Sequence, residues 1–245
     1  MSFYITLVSD SSMSYFPNNK ISHFTTRLSI PIELKGEWEV GMVEFVYPHT
    51  WYNINEHNNL FGFQVDGRNT VGRRIPAGCY ETVPDILKAM YVEEYKNKIV
   101  MNFNPVTKRV QIRVKNRGKV LLYDGLAQIL GFEPIEITSE GTAETIALSP
   151  RVADPTSDYH VLMVYTDIVE PQLVGDVLAP LLRVVRVRGR DGETISEQYT
   201  RPHYLPVNRK MIETLEIVIR THMGGLTPFE RGRSYVKLHF RQRSL

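Results

Sequence analysis

Apolar and polar residues alternate along much of both ends of the chain, and the slips in that alternation are as informative as the alternation itself. In 23–30, Phe24, Thr26, Leu28 and Ile30 fall on one side and His23, Thr25, Arg27 and Ser29 on the other. That is the pattern of a half-buried strand. In 36–51, "GEWEVGMVEFVYPHTW", Trp38, Val40 and Met42 share a side. The apolar set then moves to Val43, Phe45 and Tyr47. A period-two pattern that slips by one residue needs a β-bulge or a strand covered on both faces. The expectation is a bulge or bend between Gly41 and Glu44, with Trp38 and Phe45 both in the core. "LLRVVRVR" (181–188) slips in the same way, from Leu182 and Val184 to Val185 and Val187. "FYITLVSD" (3–10), "ETIALS" (144–149) and "YHVLMVYT" (159–166) also read as strands, the last apolar on both faces and therefore interior. "IETLEIVIRT" (212–221) turns Leu215, Ile217 and Ile219 inward. "SYVKLHFR" (234–241) turns Val236, Leu238 and Phe240 inward and Tyr235, Lys237, His239 and Arg241 outward. About eight strands joined through turn-forming residues predict a β-sandwich or jelly roll.

The middle follows another period. "ETVPDILKAMYVEEY" (81–95) has Thr82 as N-cap, Pro84 in the first turn and Asp85 near the positive helix end. Its apolar pairs, Ile86 with Met90 and Leu87 with Tyr91, are spaced for one helix face. A short strand precedes it at 60–65, and 98–115 reads as a hairpin turning near Asn104, Pro105 and Thr107. "DGLAQILGF" (124–132) is a short helix stopped by Gly131. The expected organisation is a mainly β body over 1–54 and 136–245, with residues 55–135 an α+β insertion. Ile86, Leu87, Met90, Val110, Ile112, Leu126 and Ile129 would form the insertion's own core.

Composition narrows the class. In 245 residues, 42 % hydrophobic and 10 % aromatic, there is enough apolar matter for a sizeable core. The one cysteine, Cys79, excludes an intrachain disulfide and a cysteine-based zinc site. No signal peptide is read at the N-terminus, and no run approaches the roughly 18 apolar residues of a membrane span. The formal net charge of +2 is unevenly placed. Residues 181–245 hold 13 Lys/Arg against 6 Asp/Glu, and the first 180 hold 16 against 21. Arg231, Arg233, Lys237, Arg241 and Arg243 crowd the last stretch. They are either an ordinary solvated strand face or a basic surface for nucleic acid or an acidic partner.

Catalytic patterns are missing from the sequence. The seven histidines show no metal-binding spacing, and neither a nucleophile elbow nor a phosphate-binding glycine loop occurs. His49 and His57 with Glu56 come nearest to a ligand cluster. Cys79 lies in a turn-like "PAGCY" without a histidine beside it. No cofactor or metal is expected, and an enzyme on a β scaffold is the least favoured class.

Three blocks carry a family resemblance. "SDSSMSYFPNNKISHFTTRLSIPIELKGEWEVGMVEFVYPHTWYN" (9–53), "VYTDIVEPQLVGDVLAPLLRVV" (164–185) and "PFERGRSYVKLHFR" (228–241) resemble, in order, blocks of the capsid proteins of Polinton (Maverick) elements and adintovirus-like genomes. The resemblance implies a virion structural protein. Such elements encode a longer, double jelly-roll major capsid protein and a shorter, single jelly-roll minor one, the penton, that forms pentamers at capsid vertices. About eight body strands fit one jelly roll, which selects the penton. Its partners would be its own copies in a homopentamer, the double jelly-roll major capsid protein and packaged double-stranded DNA. It would reside in the virion capsid, and in the host cytoplasm or nucleus before assembly. A fragment or short form of the major capsid protein and a lectin-like jelly-roll binding module are the alternatives. Arg231 and Arg233, in the loop before the last strand, are the candidate subunit-interface residues. Arg241 and Arg243 are the candidate DNA-facing ones.

Overall fold

The computed structural model describes residues 1–65 and 69–243. Two compact units emerge: Met1–Trp51 with Asp158–Leu245, and Tyr52–Ser157. The first contributes β1 (Ser2–Val8), β2 (His23–Glu33) and β3 (Trp38–Pro48). The second holds β4 (Leu60–Gln64), β5 (Val71–Arg74), α1 (Val83–Met90), β6 (Ile99–Asn104), β7 (Arg109–Val114), β8 (Lys119–Leu122), α2 (Leu126–Ile129), β9 (Ile135–Thr138) and β10 (Thr145–Leu148). The chain then returns through β11 (Val161–Thr166), a ribbon of β12 (Gln172–Val174) and β13 (Val177–Ala179), β14 (Leu181–Arg186), β15 (Thr194–Gln198), β16 (Leu205–Pro206), β17 (Met211–Thr221) and β18 (Tyr235–Gln242).

The first unit is a pair of antiparallel sheets. One runs β1-β18-β3-β15, with β16 also paired to β3, and the other runs β14-β11-β17-β2. Each sheet interleaves strands from the start and the end of the chain, so β1 pairs with β18 from Ser2↔Arg241 to Val8↔Tyr235. This is the strand order of a jelly roll. Their inner faces share one core, with Leu7, Phe24, Val40, Phe45, Leu162, Leu215, Ile217, Val236, Leu238 and Phe240 buried in it.

On β3 the slip in alternation coincides with a shift in register, whereas on β14 the shift falls at Leu182, earlier than the alternation places it. On β3, Glu44 pairs with Lys237 and Met42 with Leu238, leaving Val43 as the extra residue of a bulge. Met42 and Phe45 are buried on either side of it, so the core face continues without interruption. Trp38 is 7 % exposed and Phe45 0 %. Phe3 stacks on Phe240 and tilts against Trp38, with ring centres 4.9 and 5.4 Å apart. On β14, Arg183 pairs with Val164 and Leu181 with Tyr165, so Leu182 is the extra residue. Val184, expected on the core side with Leu182, is therefore exposed while Leu182 and Val185 are buried. A larger irregularity interrupts β2. Ile32 pairs with Ile212 and Arg27 with Thr214, so residues 28–31 face a single residue of β17. Ile30, expected inward, is consequently 75 % exposed.

The inserted unit has its own core. Its sheets run β5-β4-β8-β9 and β10-β7-β6. Thr82 caps α1 by accepting from the Asp85 N–H at 3.3 Å, and Ile86 and Met90 are buried below it. The β6–β7 turn closes on Asn104, whose Oδ1 accepts from Val106 and Thr107 N–H at 2.9 and 3.1 Å. After α2, Gly131 adopts φ +82°, the Phe132 N–H reaches the Ala127 carbonyl and the Gly131 N–H the Gln128 carbonyl. That is a Schellman cap. Of the core residues expected, Leu87 is only partly buried; Ile86, Met90, Val110, Ile112, Leu126 and Ile129 are buried.

The unit boundary differs from the sequence expectation. Residues 136–157 were placed in the body, yet β9 pairs with β8 and β10 with β7. Ile137 and Ala153 bury in the inserted unit's core, as does Ile54. Alternation identifies a strand but not its partner. The buried side chain of Asn53 ties the two ends of this unit together. It donates to the carbonyls of Tyr80 and Pro155 at 2.9 and 2.7 Å and accepts from the Tyr80 N–H at 2.8 Å.

Candidate assembly surface

Because Val236, Leu238 and Phe240 face the core, alternation sends Lys237, His239 and Arg241 to the outer face of the β1-β18-β3-β15 sheet. Partners from three distant segments meet them there. Tyr4 of β1 stacks on His239 at 4.5 Å. Tyr204, from the segment after β15, brings its hydroxyl to 2.7 Å from His239 Nδ1. Arg241 lies 3.6 Å from the centre of the Tyr204 ring, and its Nε is 2.5 Å from Glu39 Oε1. The 202–204 segment reaches this face across Gly41, where a Cβ would lie 2.9 Å from the His203 carbonyl and 3.0 Å from Pro202 Cβ. Glycine is required there by close approach. Burial, reinforced by the Arg241 charge, holds His239 below the usual histidine pKa, so the ring is neutral at pH 7.

The four arginines singled out from the sequence do not form one patch. Arg231 and Arg233 precede β18, and Arg241 and Arg243 end or follow it. Arg233 and Arg241 are eight positions apart, roughly 26 Å along an extended chain. Arg233 Nε sits 2.5 Å from Asp10 Oδ2. The Arg231 backbone is fastened to Thr50, whose Oγ1 donates to the Arg231 carbonyl at 2.8 Å. Arg241 is held by Glu39 and Tyr204, as described. Arg243 donates its backbone N–H to the Glu37 carbonyl at 2.9 Å, extending the sheet edge. Among the described residues, the Arg231 and Arg243 side chains make no ion pair.

At the end of the body where β3 stops, aromatic packing organises the loops. His49 stacks on Trp51 at 4.1 Å, and Trp51 on Tyr159 at 5.4 Å. His49 Nδ1 lies 3.1 Å from the Arg188 carbonyl. Tyr47 accepts the Arg188 N–H at 3.0 Å, and burial raises its phenol pKa. His49, a residue of the nearest sequence-level ligand cluster, thus has a packing role. Among the described residues, no group of three or more His, Cys, Asp or Glu is placed to hold a metal. Among the described residues, no helix is long and apolar enough to cross a membrane.

Comparison with known proteins finds no matching family model and no matching curated protein. Solved structures do match. One is the crystal structure of the mavirus penton protein, superposing with a TM-score of 0.53 over 99 % of this chain and 100 % of that one, at 11 % identity. The likeness is one of fold. It runs the length of both chains, so it takes in the jelly roll together with the inserted unit.

The outer-face cluster of Tyr4, Tyr204 and His239 was not read from the sequence. Its members lie at residues 4, 204 and 239, and no local pattern joins them. The signal that was available is the outward set of the last strand, which marks the face but not what covers it.

Proposed function

We propose that this chain is a structural virion protein, the penton-like minor capsid subunit whose copies form pentameric vertices of an icosahedral shell. The observation that carries the reading is the pairing of two interleaved sheets, of five and four strands, with an end-to-end structural likeness to a penton protein. A single jelly roll closing a five-fold ring presents two different surfaces to its neighbours, a head-to-tail contact that closes after five copies. The double jelly-roll major capsid protein surrounds that ring, and the inserted unit, Tyr52–Ser157, serves contacts beyond the body. The Polinton and adintovirus-like blocks support the same assignment.

Within this reading Arg231 and Arg233 contact the neighbouring copy, and Arg241 and Arg243 face packaged DNA. Their separation along β18 supports two roles rather than one. Arg243, without an ion pair, is the freer of the DNA-side pair, because Arg241 is engaged by Glu39.

Electron microscopy and sedimentation of the purified chain test the assignment. Rings of five, and incorporation into particles with a major capsid partner, are expected. Triangular trimers point instead to the major-capsid form, and monomers with sugar affinity to a lectin-like module. Replacing Arg241 and Arg243 with alanine should leave ring size unchanged and lower the salt slope of DNA retention by roughly one unit per lost phosphate contact. Replacing Arg231 and Arg233 should weaken the ring.

A further inference from the structure

We infer that the β12–β13 ribbon of one copy docks into a cleft on the outer face of the β1-β18-β3-β15 sheet of the next, with Asp176 meeting Lys237. The inference rests on the vertex reading above and names the contact that builds the ring.

The ribbon is an apolar device exposed to solvent. Leu173 and Leu178 are directly opposed across it and therefore share a face. They are 77 % and 69 % exposed, and Val177 is exposed as well. Three-residue strands joined by a Gly175–Asp176 turn are too short to be stable through their own pairing in water. Presenting a cross-strand leucine pair at the tip of such an element calls for a covering surface. Asp176 is exposed and has no ion pair among the described residues.

The cleft is the complement. Tyr4, Val43 and Tyr199 give it apolar walls, and Lys237 and Glu44 its charges. Tyr4 is 60 % exposed there. Val43 reaches this face because it is the extra residue of the β3 bulge, which places it on the outside beside Glu44 while Met42 and Phe45 stay in the core. Bulges re-aim side chains in this way. Lys237 Nζ lies 5.6 Å from the Tyr4 ring centre and makes no ion pair among the described residues, although Glu44 is its cross-strand neighbour. Glu44 accepts instead from the Ser196 hydroxyl at 3.3 Å. Behind Tyr199 the Arg183 guanidinium stacks 3.5 Å from the ring centre, with a buried Nη1 that has no hydrogen-bond partner, adding positive potential.

An acidic tip between leucines and valine faces a cleft with tyrosine and valine walls and an unpaired lysine. The ribbon belongs to the connection between two strands of one sheet, and the cleft to the outer face of the other. Two different complementary patches on one unit give a head-to-tail contact between copies, the kind of contact that closes into the ring of the vertex reading.

Charge exchange in the full chain tests the contact. Asp176→Lys or Lys237→Asp alone should raise the dissociation constant of the ring by about tenfold or more. The double change, Asp176→Lys with Lys237→Asp, should recover most of that loss. Both positions are outside the core, so circular dichroism should keep the wild-type fold in every variant; Lys237→Asp sets a carboxylate opposite Glu44 and should lower the monomer's melting temperature slightly, so Asp176→Lys, compared at a concentration where the chain is monomeric, is the variant expected to keep the wild-type value. Zero-length carbodiimide coupling of rings co-assembled from isotope-labelled and unlabelled chains should yield a mixed-isotope peptide joining Asp176 to Lys237. Leu173→Ser with Leu178→Ser should weaken the ring independently of charge. Single variants that assemble like the wild type, or a double variant no better than the singles, would overturn the contact while leaving the vertex reading in place. So would an Asp176→Lys protein that keeps its ring and loses only a major capsid partner. A wild-type chain that stays monomeric at every concentration would remove both.

Discussion

The body unit pairs residues from opposite ends of the chain, whereas the inserted unit pairs strands drawn from one continuous stretch, Tyr52–Ser157. Ser2 meets Arg241 in the body, and the two sheets close only when β17 and β18 have been made. In the inserted unit β6 and β7 are joined by a short turn, and β4 with β5 and β8 with β9 pair across modest connections. Each has a separate core of its own residues. Loop closure must precede the reward of long-range contacts. The inserted unit is therefore expected to form first, and the body to close around its own late strands.

Core truncation breaks the comparison most severely. Trp38→Ala or Phe240→Ala should destabilise the body by about 3–5 kcal/mol, and Ile112→Ala the inserted unit by about 2–5 kcal/mol. Hydrogen exchange read by mass spectrometry should show each loss confined to its own unit. If protection falls in 52–157 and in the flanking segments together, the two cores are not independent.

Gly131→Ala sharpens the contrast from the inserted side. The new Cβ would lie 2.3 Å from the Arg151 carbonyl in a left-handed backbone conformation. The conformational penalty alone is about 1–2 kcal/mol, and relief of the clash adds to it. Thermal unfolding should show the inserted unit melting earlier with the body unchanged.

Deleting Val43 probes the body more gently. Without it, Trp38, Val40, Met42, Phe45 and Tyr47 alternate regularly, so no core side chain changes face. What is lost is the bulge and the hydrogen bond from the Tyr199 N–H to the Val43 carbonyl, 2.8 Å long. The expected cost is about 0.5–1.5 kcal/mol, well below a core truncation. A loss as large as that of Trp38→Ala would mean that the bend itself sets the sheet's closure.

The sequence was legible where burial imposed a period and illegible where partners lay far away. Trp38, Met42, Phe45 and Tyr47 announce a bulge because both halves of the strand must feed one core. The Thr82 cap and the Gly131 stop are local chemistry and equally readable. Ile30 reads as a core residue because its alternation is regular, yet residues 28–31 leave the ladder where β17 supplies only one residue opposite them. "ETIALS" reads as a strand, but its pairing with β7 depends on three-dimensional closure. The candidate site is harder still. Lys237, His239 and Arg241 can be placed on an outer face, whereas Tyr4 and Tyr204 acquire meaning only from what the fold sets beside them.

The smallest effect separates the units by pH. In the body, His239 has a depressed pKa, from burial first and the Arg241 charge second. The unfolded state then binds more protons than the folded one, so this contribution is complete above the unfolded value of 6.5 and declines as pH falls from there toward the folded pKa. A neutral ring can accept the Tyr204 hydroxyl at 2.7 Å; a cationic one cannot. In the inserted unit the groups whose pKa is lowered are carboxylates. Hydrogen bonding to Lys119 lowers Glu136, and hydrogen bonding to Lys96 and then Tyr91 lowers Glu93. Their contributions persist above the unfolded value of 4.5 and are lost as pH falls through the depressed folded values. These two carboxylates are exposed, and solvent screens them, so their effect is slight. Acid titration followed by hydrogen exchange should therefore loosen the outer face around residues 4, 204 and 239 at a higher pH than the inserted unit. His239→Gln should flatten the body's response below pH 6.5 and leave that of Glu136 in place. Coincident transitions in both units, or an unchanged body response in His239→Gln, would assign the acid sensitivity to other groups.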